Sequence, residues 1–489
     1  MKALVWFHRW VGIVLCLMFA TWFATGAVMV FVAFPSLSPA ARAAASQIVD
    51  LARVNLGPAQ ATAAFGGSPE LRLVSVEGEP AYVAKGAAGK IGAVSAETGQ
   101  PMAPISAHAA ADIAARFARG RADHVDGPFD YDQWIVHQQF DPLRPFFKVR
   151  LADRENTDLY VSAPNGEVVQ RTLGYERGWN WFGSIVHWIY FVPIRKTFAL
   201  WDWGVWAMSL VGLTTTVAGL WLGVSRTRKK LKSRRPEVSP FRGLLRWHHI
   251  LGLAAGAFVL CWITSGWLSM DHGRLFSEGV PTEAAAAAYR GGTGNDAAAG
   301  FTVADLRSLG PTSSVEFQRV AGHEVAAATG PGGSHVLVKG PQGLARQDRV
   351  PQSLILAAAR AAWPGQTASA LTPVAIDSAY AKAESLPPGA LMIKLGGAHP
   401  ARLYVDGVTG KILVVMDRGR ETYAWVYYML HTYNYPGLSS RPVLRITILL
   451  VPLTLGFGFA VTGVLVGLRR LRTKLPAAAS AAVTRRGAT

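Results

Sequence analysis

Apolar residues run almost without interruption through four stretches of this chain, roughly Trp10–Phe34, Trp201–Val224, Leu251–Met270 and Leu444–Leu468. Each is about 20 residues or longer, the length a helix needs to cross a ~30 Å hydrocarbon layer. A helix also satisfies its own backbone hydrogen bonds away from water. The four runs therefore predict four membrane-spanning helices. The long stretches between them read differently. Around 70–75 and 80–85, and within 158–172 and 401–415, apolar and polar residues alternate as in half-buried strands. Asn165-Gly166 and Thr409-Gly410 stand where the last two strand pairs turn back. A third extended–turn unit is KIGAVSAETGQPM, with its turn at Glu97-Thr98-Gly99. Helices are predicted for SQIVDLARVNL (46–56) and SLILAAARAAW (353–363). The segment 278–300 reads as a loop or loose insert, and the tail from Pro476 as disordered.

Composition reinforces the membrane reading. Half of the 489 residues are apolar and only 16% are charged, against nearer a quarter in soluble domains. The net charge of +18 is unevenly placed. It gathers in the linker SRTRKKLKSRRPEVSPFRGLLR after the second run, in LRRLRTK after the fourth, and in Lys2 and Arg9 beside the first. The positive-inside rule puts these regions in the cytoplasm, with both termini inside and the connections 35–178 and 273–422 outside. Basic residues at membrane edges point to anionic headgroups and away from nucleic acid. The first run is expected to be an uncleaved span, because it is longer than a signal-peptide core. Cys16 and Cys261 lie inside spans and form neither CxxC nor CxxCH, so covalent haem and iron–sulphur ligation have no support.

The two halves match each other. WFHRWVG at 6–12 resembles WHHILGL at 247–253, which pairs His8 with His248, Gly12 with Gly252 and Gly26 with Gly266. Thr25-Gly26 then matches Ser265-Gly266. Ahead of the second and fourth runs His187 and His431 are 244 positions apart, as are Gly219 and Gly463 within them. Each half reads as span, external domain, pre-membrane histidine, span. Glycine and other small residues let such helices pack closely.

The histidines carry the candidate chemistry. His8 and His248 open two spans at the basic edge. His187, in GWNWFGSIVHWIYF, and His431, in YAWVYYMLHTYNY, precede two others near the outer interface, with Pro193 and Pro436 ending or bending their helices. A haem iron leaves two axial positions, and two neutral imidazoles fill both to give a centre suited to electron transfer. Pairing His8 with His248 makes a cytoplasmic-side site; pairing His187 with His431 makes an outer one. Trp6, Trp181, Trp188 and Trp425 are candidates to pack on porphyrin. The opposing reading makes each histidine an interhelical hydrogen-bond partner or an interfacial residue.

Other residues divide similarly. His249 points about 100° from His248 on a helix, as a donor, an alternative ligand or an interfacial residue. His272 is a candidate contact to an outer cofactor or substrate, with interfacial placement preferred. His137 is assigned an ordinary surface or domain-contact role. Arg144, Lys148 and Arg150 read as a solvated basic face, with attraction of an anionic ferric chelate as the other option. Trp179–Phe191 reads as a membrane anchor before a chelate platform. No HExxH, GxSxG, Walker A or Rossmann glycine pattern is present, so the electron donor is a separate partner, a membrane quinol or a cytoplasmic reductase.

The His-Arg-x-x-Gly opening at His8–Gly12, Thr25-Gly26, and the ETG and VTG turns at 97–99 and 408–410 resemble PepSY-associated transmembrane proteins, and within them the bacterial inner-membrane ferric-siderophore reductases. The resemblance covers residue 3 to about 470. It implies a four-helix core, α+β PepSY-like periplasmic domains and two b-type haems. Its ligands fall on His8, His248, His187 and His431. The arginine that usually follows such a histidine is present as Arg9 but replaced by His249, Trp188 and Thr432. Arg9, His249, His272 and Trp188 are secondary contact candidates. The expected order is helix 1–34, periplasmic region 35–178, interfacial helix 179–200, helix 201–224, basic linker 225–246, helix 247–272, periplasmic region 273–422, interfacial helix 423–443, helix 444–468 and cytoplasmic tail 469–489. The expected activity is one-electron reduction of a ferric siderophore or other ferric chelate. The alternatives are a non-enzymatic scaffold that binds a peptidase or envelope protein, and a metal or siderophore permease.

Overall fold

Four long helices form where the apolar runs predict them: Lys2–Phe31, Phe198–Leu231, Gly243–Ser269 and Pro442–Arg472. The structure, a computed structural model, describes residues 1–67, 70–86, 89–292 and 300–472. The expected loop residues 293–299 and the expected disordered tail lie outside the described residues. Most helix ends reach past the apolar runs, because the flanking polar residues continue the backbone ladder. Cations then fill the last turns of the second and fourth helices (Arg228 to Lys230; Arg469, Arg470, Arg472), where the negative end of the helix dipole favours them. His8 and His248 consequently sit a turn or more inside their helices rather than at the start.

The bundle is apolar outside and small inside. Val14, Leu17, Phe31, Val217, Trp221 and Val451 are exposed on its surface, a pattern that suits lipid and penalises water. Between the helices lie Gly212, Ala218, Ala255, Gly256, Gly456, Ala460 and Gly463. Close approach depends on these residues. The first helix is a full member of the bundle: Leu15, Phe19 and Phe23 are buried with Trp262, Leu449 and Leu453.

Among the described residues the connections form three antiparallel sheets at the end opposite the basic linker. The strands are β1 (Leu71–Val76), β2 (Glu79–Lys85), β3 (Ile91–Ser95), β4 (Ala122–Phe129), β5 (Phe146–Leu151), β6 (Asp158–Ser162), β7 (Val168–Thr172), β8 (Ser314–Val320), β9 (His323–Gly330), β10 (Gly333–Gly340), β11 (Gly343–Gln347), β12 (Thr367–Ala368), β13 (Thr372–Pro373), β14 (Leu391–Gly396), β15 (Ala401–Val405) and β16 (Ile412–Met416). One sheet runs β11-β10-β9-β8-β1-β2-β3, the second β4-β5-β6-β7, and the third β12-β14-β15-β16 with β13 also on β14. The first sheet joins the two connections, since β1 pairs with β8 at Leu71↔Phe317. The hairpins β6–β7 and β15–β16 turn at Gly166 (φ +69°) and Gly410 (φ +73°), a backbone region open to glycine without strain.

Two expected elements differ. Residues 46–56 form only the short 3-10 turn Leu51–Arg53. Their backbone groups bond elsewhere, Val49 N–H to Thr312 O (2.7 Å) and Asn55 and Leu56 N–H to Ala96 O, while Val49, Leu51 and Val54 fill the core of the first sheet. Tertiary pairing outweighs a weak helical period. In the segment read as a loop, Glu283–Arg290 is a helix capped by Thr282. Its Tyr289 is buried and donates to Gly410 O at 2.7 Å.

Candidate paired-histidine pockets

Hairpins of the external sheets deliver two of the histidines. After β7 comes the helix Gly174–Phe182, then Ser184–Trp188. The break at Gly183 lets the chain lie on the first span, where a Cβ would meet Val28 Cγ1 at 3.1 Å. Asn180 pins the pair by donating to Ala33 O at 2.9 Å. After β16 come Arg418–Ala424 and a π-helix, Trp425–His431. Such wide turns recur at functional sites. Neither expected proline ends these helices. Ile189 in the left-handed region closes the first and Pro193 starts the next turn, while the π-helix closes at Thr432, ahead of Pro436.

His187 and His431 meet across one cavity of about 520 Å³, their ring centroids 6.3 Å apart. Thr25 Oγ1 donates to Trp22 O and so accepts from His187 Nδ1–H at 2.9 Å. Ser265 Oγ donates to Trp262 O and accepts from His431 Nδ1–H at 3.0 Å. Trp22 and Trp262 in turn donate to the backbone oxygens of His187 and His431, each at 3.1 Å. Both rings thus carry the proton on Nδ1 and keep a lone pair on Nε2. Gly26 and Gly266 lie against the ring edges, where a Cβ would be 3.5 and 3.2 Å from Cε1 of His187 and His431.

His8 and His248 line a second cavity of about 500 Å³ at the basic end. His8 Nδ1–H donates to Thr215 O at 3.2 Å. His248 Nδ1 is 3.3 Å from Thr462 Oγ1, a hydroxyl already donated to Phe459 O. Nε2 is again the lone-pair nitrogen of both rings. A Cβ at Gly219 would fall 2.5 Å from His8 Cε1, and one at Gly463 3.2 Å from His248 Cε1. Phe459 stacks on His248 at 4.9 Å. Arg9, Arg226, Arg469 and Arg470 also line this cavity and give it a cationic rim.

A family model described as the PepSY-associated TM region matches residues 5–470. The chain belongs to that family. No curated protein and no solved structure matches it. Membership fits the four spans and the external sheets of this PepSY-associated protein.

Among the secondary candidates, Arg9 lines the basic-end cavity and Trp188 the other. His249 is buried in the basic-end wall, with Nε2 at 3.1 Å from Gly223 O, which bridges the second and third spans. His272 lies outside both cavities, with Nδ1 at 2.7 Å from Asp202 Oδ2. Of the four tryptophans proposed as porphyrin partners, only Trp188 lines a cavity; Trp22, Trp201, Trp262 and Trp267 do so as well. Trp6 and Trp425 are exposed, and Trp181 packs on Trp134 and Phe191.

Arg144 and Lys148 do not belong to a solvated basic face, whereas Arg150 is exposed. Arg144 is buried, paired with Asp141 at 2.8 Å, and its guanidinium donates to Asp130 O, Ile135 O and His137 O. Lys148 pairs with Asp132, and Arg150 with Asp158. The same loop brings His137 to the cavity of His187 and His431, its ring 5.0 Å from Tyr190. Burial first, and Arg195 second, push the His137 imidazole down to about 4. Nothing in WIVHQQF distinguishes that position from a surface histidine. The hydroxyls of Thr25 and Ser265 had a sequence signal in their matched places, but only the fold shows which histidines they hold.

Proposed function

We propose that this protein is a two-haem transmembrane electron carrier that reduces an external ferric chelate, such as a ferric siderophore. The carrying observation is the pair of cavities, each lined by two histidines that present Nε2 lone pairs. Two imidazoles on one iron place their centroids roughly 6 Å apart, from about 2 Å per metal–nitrogen bond plus the ring on each side. The 6.3 Å between His187 and His431 fits that span, and the glycines against the ring edges leave room for the imidazoles. Among the described residues no group of three or more His, Cys, Asp or Glu is placed to hold a bare metal ion. Haem supplies reversible one-electron chemistry at a potential set by axial ligands and burial.

The chain's own part is positional. Thr25, Ser265, Thr215 O and Thr462 fix each imidazole's tautomer and orientation, as outer-shell partners do at metal sites. Arg9, Arg226, Arg469 and Arg470 can meet propionates at the basic end. The helices exclude water, so an electron moves with little rearrangement. In this reading the basic end faces the cytoplasm and the sheets face the periplasm, the match of the two halves is an internal repeat, and His187 and His431 would hold the haem nearer the chelate. Each electron converts one ferric ion to ferrous, which weakens hard-oxygen coordination. No external residue acts as acid or base.

Visible spectra of the detergent-purified protein, oxidised and dithionite-reduced, test this directly. Two b-type haems per chain are expected, with one lost in His8→Ala and the other in His187→Ala. Full activity of haem-free protein, or unchanged haem content in both variants, overturns the reading and favours the scaffold alternative.

A further inference from the structure

At the sheet-bearing end of the second and third spans, beside the cavity of His187 and His431 but not lining it, Asp202 and His272 form an ionisable pair. Asp202 Oδ2 is 2.7 Å from His272 Nδ1. Among the described residues, the other carboxylate oxygen, Asp202 Oδ1, is buried without a hydrogen-bond partner, and so is Trp267 Nε1–H on the third span. An ionisable side chain within a spanning helix is costly and marks function by default. A carboxylate oxygen without a donor leaves that cost uncompensated.

The surroundings specify the missing donor. His272 sits against Trp203 at 4.3 Å and Trp206 at 5.0 Å. Trp203 and Leu200 beside Asp202 are exposed on the bundle surface, which faces lipid. Trp206 also packs on Trp267 at 5.8 Å, and Trp267 lines the cavity of His187 and His431. The dyad is therefore open to the bilayer on one side and joined to the outer cavity by consecutive ring contacts on the other. A ligand for this place is lipid-soluble, flat and aromatic, and carries a hydroxyl that can give up its proton.

We propose that Asp202 and His272 form the binding and proton-accepting site for a membrane hydroquinone, the electron donor of this protein. The proposal rests on the two-haem reading. The hydroquinone hydroxyl donates to Asp202 Oδ1. Oxidation to the quinone releases two electrons and two protons. The protons leave by way of Asp202 and His272 on the sheet-bearing side. One electron is taken up at each of the two ferric haems of that reading. A two-electron donor thus serves a one-electron reaction: two ferric chelates are reduced per hydroquinone.

The test uses the full chain in lipid discs and a short-chain photoreactive benzoquinone. Labelling is expected in 198–206 or 267–275, lost on competition with unlabelled quinone; labelling only elsewhere overturns the site. Asp202→Asn and His272→Gln are expected to weaken quinone binding at least tenfold and slow haem reduction by short-chain hydroquinone at least tenfold, with haem content and dithionite reduction unchanged and Asp202→Glu recovering part of the loss. Wild-type binding in both variants overturns the proposal and makes the pair a structural tether. Quinone labelling of a protein that lacks haem keeps the binding site and removes the two-haem reading, so the two failures are distinguishable.

Discussion

The two cavities hold the same pair of side chains by different means. At the basic end, His8 and His248 ride on spanning helices, and their partners Thr215 and Thr462 belong to the other two spans. At the sheet-bearing end, His187 and His431 ride on short helices that the external domains present to the bundle. The arm of His431 is tied by Arg420 to Glu384 at 2.8 Å and by Tyr380 to Glu421 at 2.7 Å, and the arm of His187 by Arg177 to Asp158 at 3.3 Å. The basic-end site is thus a property of the bundle. The sheet-end site is a joint product of bundle and sheets, so a change in a sheet domain reaches one pair of histidines and spares the other.

The sharpest way to break that division is Gly219→Leu. The added Cβ lies 2.5 Å from His8 Cε1, and the rest of the side chain enters the cavity that Gly219 lines. If each cavity holds a haem as proposed, one of two haem equivalents is lost by pyridine haemochrome assay, with the spectrum of the sheet-end site intact. Loss of both would show that the sites are not separable.

Arg144→Ala attacks from the other side. It leaves the carbonyls of Asp130, Ile135 and His137 without their buried donor, a change expected to cost about 3 kcal/mol. Denaturant unfolding should show the loss in the external domain, while the spectrum of the inner site stays unchanged.

Thr25→Val and Ser265→Ala remove the hydroxyls that orient the outer imidazoles. Outer-shell losses of this kind weaken metal affinity by about 10-fold or more. Haem titration should show the weakening at the outer site alone.

The smallest effect concerns pH. His137 titrates at about 4 when folded, below the ~6.5 of an unfolded chain. Between those values the unfolded state binds more protons, so stability is full above the window and falls as the pH drops through it. His137→Gln should flatten that slope in thermal unfolding of the external domain, with no change at the basic end.

Much of this was legible in the chain. The spans were readable because an apolar run about 20 residues long has few alternatives to a membrane helix. The hairpins at Gly166 and Gly410 were readable because alternation and turn glycines are local signals. The four histidines and their glycines were readable because they match between halves. Residues 46–56 misled because a short helical period does not reveal that Thr312 and Ala96 will take its hydrogen bonds. Arg144 misled because a charge run looks the same whether it meets water or carbonyls.

The sequence by itself determined the number of spans, their polarity of charge and the residue types at the paired sites, all consequences of local hydropathy and spacing. Tertiary structure decided which histidines face each other, which hydroxyl fixes each tautomer, that β1 and β8 join the two connections in one sheet, and that Asp202 meets His272 with an oxygen to spare. Those are contacts between residues tens to hundreds of positions apart. Their energies depend on distance and orientation in space, which no local pattern encodes.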